Sequence, residues 1–445
     1  MKAAGMKDYF HDLAAHIDTL ARPGEVVVSS LAAEDSDFIR FNKSAVRQAM
    51  AIRQVLWTLS LIRDNRRLDA KVTLAGSLAP DRDALGALLR ELRNGIAELP
   101  EDPFLLYETV PRVSSHEAKG QLPDPARVID EVIAAGRGLD LVGLYAGGPI
   151  YRGFANTLGA RYWHEVENFN FGWCLYHDRD KAVKSGYAGG AWDGAAFGSK
   201  MRFAREQLAR LAEAPRTLAP GAYRAFIAPA AMTEILGMLS WAGFGLKSRN
   251  TKQTALIRMA EQGARLSPQV SLLENTGEGI ACGFQGEGFL RPPSVSLVEA
   301  GQLAAPLVSP RSAREYNVAT NGANASESPE SLDLAGGTLA HAEALKALGT
   351  GIYIGNLWYL NFSDRSACRM TGMTRFASFW VENGEIRAPL NVMRFDDTAY
   401  RVLGDNLESL TRERDLVVDD NSYGERSTSS MRTPGALVRE FALTL

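Results

Sequence analysis

Cysteine is scarce in this chain: three in 445 residues, Cys174, Cys282 and Cys368, with no CxxC pair. That excludes a disulfide framework and suits a reducing compartment, so a cytoplasmic location is expected. Charge of one sign is lacking too. A net charge of −3 offers no global attraction to nucleic acid or anionic lipid, and neither is expected as a partner. Long uninterrupted apolar runs are also missing. The opening stretch MKAAGMKDYFHDLAAHIDTL carries Asp8, Asp12 and Asp18 among its apolar positions, which reads as an amphipathic helix and not a secretory signal. The twenty-residue stretch 226–245 has only Glu234 charged. Its Pro229 and interspersed small residues favour a strand feeding a buried helix over a membrane span. No GxSxG, GKS/GKT or HExxH occurs, so the strong hydrolase and nucleotide-binding motifs are absent.

What is present describes an ordinary globular chain, 46% hydrophobic and 23% charged. Its length exceeds what one core usually organises, so two domains are expected. In the first half, GEVVVSSLAAED, DFIRFNKSAVRQAMA and VLWTLSLIRDNRRLDAKVTLAG read as successive antiparallel strands separated by short polar turns. The spacing of Leu85, Leu88, Leu89, Leu92 and Ile96 predicts a helix, and a second is expected around 125–135. Another strand series covers LDLVGLYAGGPIYRGFANTLGARYWHEVENFNFGWCLYH and KAVKSGYAGGAW, followed by the helix GSKMRFAREQLARLAEAP. The Pro- and Gly-containing link PRTLAPGAY (215–223) places the boundary between domains 1–217 and 218–445. The fold class is α+β, mixing helices with antiparallel sheets, and the second domain is the richer in strand. NGANASESPES (321–331) is small and polar, which predicts a mobile loop.

Three local patterns bear on chemistry. Gly349, Gly351 and Gly355 superficially suggest a dinucleotide fingerprint. A helix precedes them and a strand follows, the reverse of a phosphate loop, so a helix C-cap is the reading. HEVENFNFGWCLYH sets His164, Glu165, Cys174 and His177 close in sequence, and all four are competent zinc ligands. The alternating Phe169, Phe171 and Trp173 instead describe a strand. Cys174 and His177, an odd number of residues apart, then point to opposite faces. A metal site on His164, Cys174 and His177 is the lesser alternative. Finally, RFASFWVENGEIRAP predicts a hairpin turning at Asn383–Gly384, the preferred two-residue turn.

FWVENGEIRAPL closely resembles the C-terminal hairpin signature of the TldD/PmbA family, particularly its PmbA (TldE-like) branch. ALGTGIYIGNL is similar to that family's helix-to-strand passage. FNKSAVRQAMAIR, FANTLGAR and the segment EGIACGFQGEGFLRPPSVSLVEAGQLAAPLVSPRSAREYN resemble other family elements in order and spacing. The resemblance implies a cytosolic peptidase system whose TldD branch binds zinc through an HExxxH helix and a C-terminal cysteine. Zinc lowers the pKa of a bound water from about 15.7 to about 7, supplying hydroxide at neutral pH. The corresponding helix here is AAMTEILGMLSW. With Glu234 on the family glutamate, Thr233 and Met238 stand where the histidines would, and 418–435 contains no cysteine. No histidine lies between His177 and His341, so shifting the alignment cannot restore the motif.

The resemblance therefore implies a chain without catalytic residues, metal or cofactor of its own and inactive alone, paired with a zinc-bearing TldD-type subunit or with itself. Its role would be to complete a cavity and bind unfolded or modified peptides. The alternative is a homodimeric peptide-binding or scaffold protein without protease activity.

Overall fold

The computed structural model describes residues 5–178 and 181–444. Helix α1 (Met6–Leu20) buries Met6, Tyr9, Phe10, Leu13, Ala14 and Ile17, the i, i+3, i+4 stripe of an amphipathic helix, and leaves its three aspartates exposed. That stripe lies on a sheet built first from three antiparallel strands, β1 (Val26–Asn42), β2 (Ala45–Arg63) and β3 (Arg66–Thr73). Phe10 packs between Trp57 of β2 and Trp163, at ring separations of 5.3 and 5.9 Å. Helix α2 (Leu78–Gly95) adds Leu85, Leu89 and Leu92 to the same cluster.

The sheet continues through β4 (Val113–Ala118), β5 (Asp140–Asn156), β6 (Arg161–Asp178) and β7 (Lys181–Gly189), with helix α3 (Pro125–Gly136) between β4 and β5. Among the described residues these seven strands form one sheet in the order β3-β2-β1-β5-β6. The far edge of β6 is shared: β4 pairs with its first part in parallel and β7 with its second part antiparallel. Among the described residues β7 therefore keeps one edge without a strand partner.

Two expectations are corrected. The polar residues at 35–37 make no turn. β1 runs through them, and the chain reverses at Lys43–Ser44, both at positive φ. Ser44 holds that conformation by donating its hydroxyl to the Gly136 and Leu139 carbonyls, at 2.8 and 2.6 Å. Glu34 and Ser36 are polar yet buried because they serve a distant arginine described below. The loop 321–331, expected to be mobile, is pinned by its own side chains. Asn321 bridges the Val308 N–H and the Pro306 carbonyl, both at 2.8 Å. Buried Glu327 accepts from the backbone of Ser309 (2.9 Å) and Lys247 (2.8 Å). Its polar side chains do the anchoring that apolar ones do elsewhere.

Helix α4 (Gly194–Leu211) begins where Asp193 accepts from the Ala195 N–H (2.8 Å), four residues before the sequence suggests. Past it, β8 (Gly221–Ile227) opens a second sheet, of thirteen strands among the described residues. β8 lies between the antiparallel strand Ser430–Leu443 and the parallel strand Gly351–Ile354. The fold is α+β with a strand-rich second half. One apolar cluster joins the two sheets: Phe171 and Trp173 of β6 and Phe197 and Met201 of α4 meet Phe226, Tyr353 and Phe379 of the second sheet. Among the described residues no helix is long and apolar enough to cross a membrane.

Candidate functional site

β8 runs directly into helix α5 (Pro229–Ser240). The Ala228 N–H donates to the Ile354 carbonyl (2.9 Å), which ties the strand–helix junction to the neighbouring parallel strand. Proline at the first helical position gives up an N–H that would have no partner anyway. The helix buries Ala231, Met232, Ile235, Leu236, Met238 and Leu239, so little of its circumference faces outward.

The three motif positions diverge. Thr233 Oγ1 lies 3.0 Å from the Pro229 carbonyl, to which it donates, and 3.3 Å from Oγ1 of the fully buried Thr433. Met238 is part of the second sheet's apolar core. α5 is regular throughout, and five residues of regular helix turn through about 500°, leaving positions 233 and 238 roughly 140° apart. Glu234 is half-buried. Burial pushes its carboxyl above the usual range, Lys184 of β7 pulls it back, and Asp420 pushes it further up. Lys184 of β7 and Asp420 of the loop 419–429 thus act on Glu234 through their charges.

β6 spreads the other candidates along its length. His164 is buried near the start of the strand, its ring stacked on that of His116 from β4 at 5.1 Å. Its Nε2 is 3.2 Å from the Ile280 carbonyl, and burial lowers its pKa to about 4. Cys174, half-buried, is ten residues further along the strand, on the order of 33 Å away. His177 is exposed at the strand's end, and Glu165 sits beside the Trp163 indole at 3.4 Å. Among the described residues no three His, Cys, Asp or Glu side chains are grouped to hold a metal ion.

Two features escape the sequence reading. The first is a cavity of about 450 Å³ at the amino end of α5, walled by β7, α4, residues 228–230 and the segment after Ile354. It includes Lys184 but not Thr233, Glu234 or Met238. Its walls come from seven separate stretches, and no local pattern marks them. The second is Arg426. From the loop 419–429 it reaches into the first sheet and donates to the carbonyls of Gly148 (3.0 Å) and Asn168 (2.9 Å), the Asn168 side-chain oxygen (2.6 Å) and Ser36 Oγ (3.3 Å). Ser36 in turn donates to Glu34 (2.7 Å). Burial brings the Arg426 guanidinium down to about 10 while Glu34 holds it up. Beside it, Arg152 pairs with Glu425 at 3.0 Å, and Gln54 donates to Glu34 and to the Gly424 carbonyl, each at 2.5 Å.

Comparison with known proteins agrees with this architecture. The family model for the PmbA/TldA metallopeptidase C-terminal domain matches residues 220–445. No curated relative matches the chain by sequence. TldE from Thermococcus kodakarensis superposes with a TM-score of 0.77 at 13% identity, over 97% of this chain and 100% of that one. A candidate modulator of DNA gyrase from Thermotoga maritima superposes with a TM-score of 0.75 at 14% identity, over 99% and 100%. One from Bacteroides thetaiotaomicron does so at 0.74 and 14%, over the whole of both chains. At such identities the likeness concerns the fold; the family rests on the match to 220–445, just over half the chain. The chain belongs to the PmbA/TldD family.

Proposed function

We propose that this chain is a TldE-type subunit that binds peptide and completes a cavity for a zinc-bearing TldD-type partner, without activating water itself. The observation that carries this reading is the state of α5. The side chains at its motif positions do not fit zinc. A neutral hydroxyl already donating to a backbone carbonyl is a poor ligand, and the Met238 thioether is buried among hydrocarbon, on a different side of the helix. Glu234 has no metal-held water to work on, so it serves as a structural carboxylate. The unpaired edge of β7, with Lys184, Ser185 and Gly186 on the cavity wall, offers backbone pairing to an extended peptide, which tolerates many sequences. The shared fold with TldE of Thermococcus kodakarensis supports the assignment.

Co-expression with a TldD-type chain followed by a peptidase assay tests the proposal. Activity should require both chains, and Glu234→Gln here should leave turnover within about twofold. The same change in a zinc-bearing chain removes a general base worth roughly 10²–10⁴-fold. A hundredfold loss from Glu234→Gln, with assembly unchanged, would show that this subunit performs chemistry.

A further inference from the structure

We propose that the cavity at the head of α5 is a pocket for the C-terminal residue of a peptide, its chain-end carboxylate seated on the first turn of the helix. This rests on the peptide-binding reading and adds to it a position and a polarity. The cavity lies beyond the carboxyl ends of two adjacent parallel strands, β8 and Gly351–Ile354, where strand-to-helix junctions commonly receive ligands. α5 is twelve residues long, and Ala230 on the cavity wall is in its first turn, whose N–H groups have no partners within the helix. An anion is favoured there by those donors and by the helix dipole.

Asn356 supplies the independent sign of a missing ligand. It is 4% exposed, lies on the cavity wall, and its side-chain oxygen is buried without a hydrogen-bond partner. A buried amide left unsatisfied is costly, and the N–H of a peptide's last residue would answer it. The charges on the wall are arranged to suit. Asp415 is already paired with Lys200 at 3.2 Å, and Glu413 accepts from the His341 N–H at 2.8 Å. Lys184 stands beside the helix end as the cation for the carboxylate. Phe203, Pro229 and Ala377 provide an apolar wall for the terminal side chain. At about 450 Å³ the space suits one or two residues.

The test is titration of the full chain with a fluorescein-labelled Ala-Ala-Ala-Ala-Leu peptide, as free acid, as C-terminal amide, and as an amide carrying Glu at the penultimate position. The free acid should bind at least tenfold tighter than either amide. Asn356→Ala and Lys184→Met should each weaken the acid about five- to tenfold, with melting temperatures near that of the parent. Asn356→Asp, nearly isosteric but negative, should weaken the acid further. Equal binding of acid and amides overturns the pocket while leaving peptide binding intact. Failure of all three peptides to bind overturns both readings. Tight binding of the Glu-containing amide alone would assign the pocket to an acidic side chain and overturn the chain-end assignment.

Discussion

His164 is held neutral at pH 7 by its surroundings. Burial disfavours its charged form, His116, Arg152 and Arg291 add to the penalty, and the hydrogen bond to the Ile280 carbonyl only partly offsets them. Its folded pKa of about 4 lies below the ordinary 6.5, so the unfolded chain binds the proton more readily. Stability from this site is therefore complete above pH 6.5 and is lost as pH falls through 4. The loss is on the order of 3 kcal/mol at most. Chemical denaturation at pH 7 and pH 4.5 should show a decline that His164→Gln reduces. An unchanged pH slope in that variant would remove His164 as the cause. The same residue shows why the HEVENFNFGWCLYH cluster misleads on the page. Nearness in sequence becomes distance along an extended strand, so residues that a helix or tight loop would gather are dispersed.

At the scale of elements, local chemistry is what the sequence made legible. The Asn383–Gly384 hairpin forms as its turn residues require, with φ of 52° and 79°. Gly384 also meets helix Ala344–Leu348: its N–H donates to the Gly349 carbonyl (2.7 Å), and an added Cβ would stand 3.1 Å from Lys346 Cα. Gly384→Val should cost about 1–3 kcal/mol, because a β-branched residue is strained at positive φ. Calorimetry should record a melting point several degrees lower, and Gly384→Asn should lose less, since asparagine tolerates that conformation. Equal melting points for parent and Val variant would refute the turn argument. Helices α1 and α2 and the Gly349 cap were readable for the same reason: periodicity and capping are written within a dozen residues. The interior of β1 was not. Ser36 looks like a turn residue until its partner appears 390 positions away, in Arg426. The cavity at α5 was hidden likewise, its walls being scattered from Lys184 to Asp415.

The molecule as a whole presents aromatic surface that asks for cover. Tyr359 is 75% exposed, and Trp358 beside it is capped by the Arg375 guanidinium at 4.5 Å. Among the described residues strand Trp358–Asp364 pairs on one side only, with Arg369–Met373. Such surface favours association, so light scattering at micromolar concentration should give about twice the 48.4 kDa of one chain, or a complex with a TldD-type partner. A monomer that also ignores that partner contradicts this. The same preparation, after dialysis, should retain well under one zinc per chain; near-stoichiometric zinc abolished by His177→Ala would reinstate the β6 cluster. Arg426 has a bearing on synthesis as well as on shape. The acceptors at Gly148 and Asn168, and the Ser36–Glu34 relay, are translated first, yet the cation that satisfies them follows 278 residues after Gly148 and 258 after Asn168. Until then the first sheet holds buried acceptors that water alone can serve, at a cost in stability. A nascent chain halted short of Arg426 keeps that fault, so the first sheet is finished only by a residue from the second half of the fold.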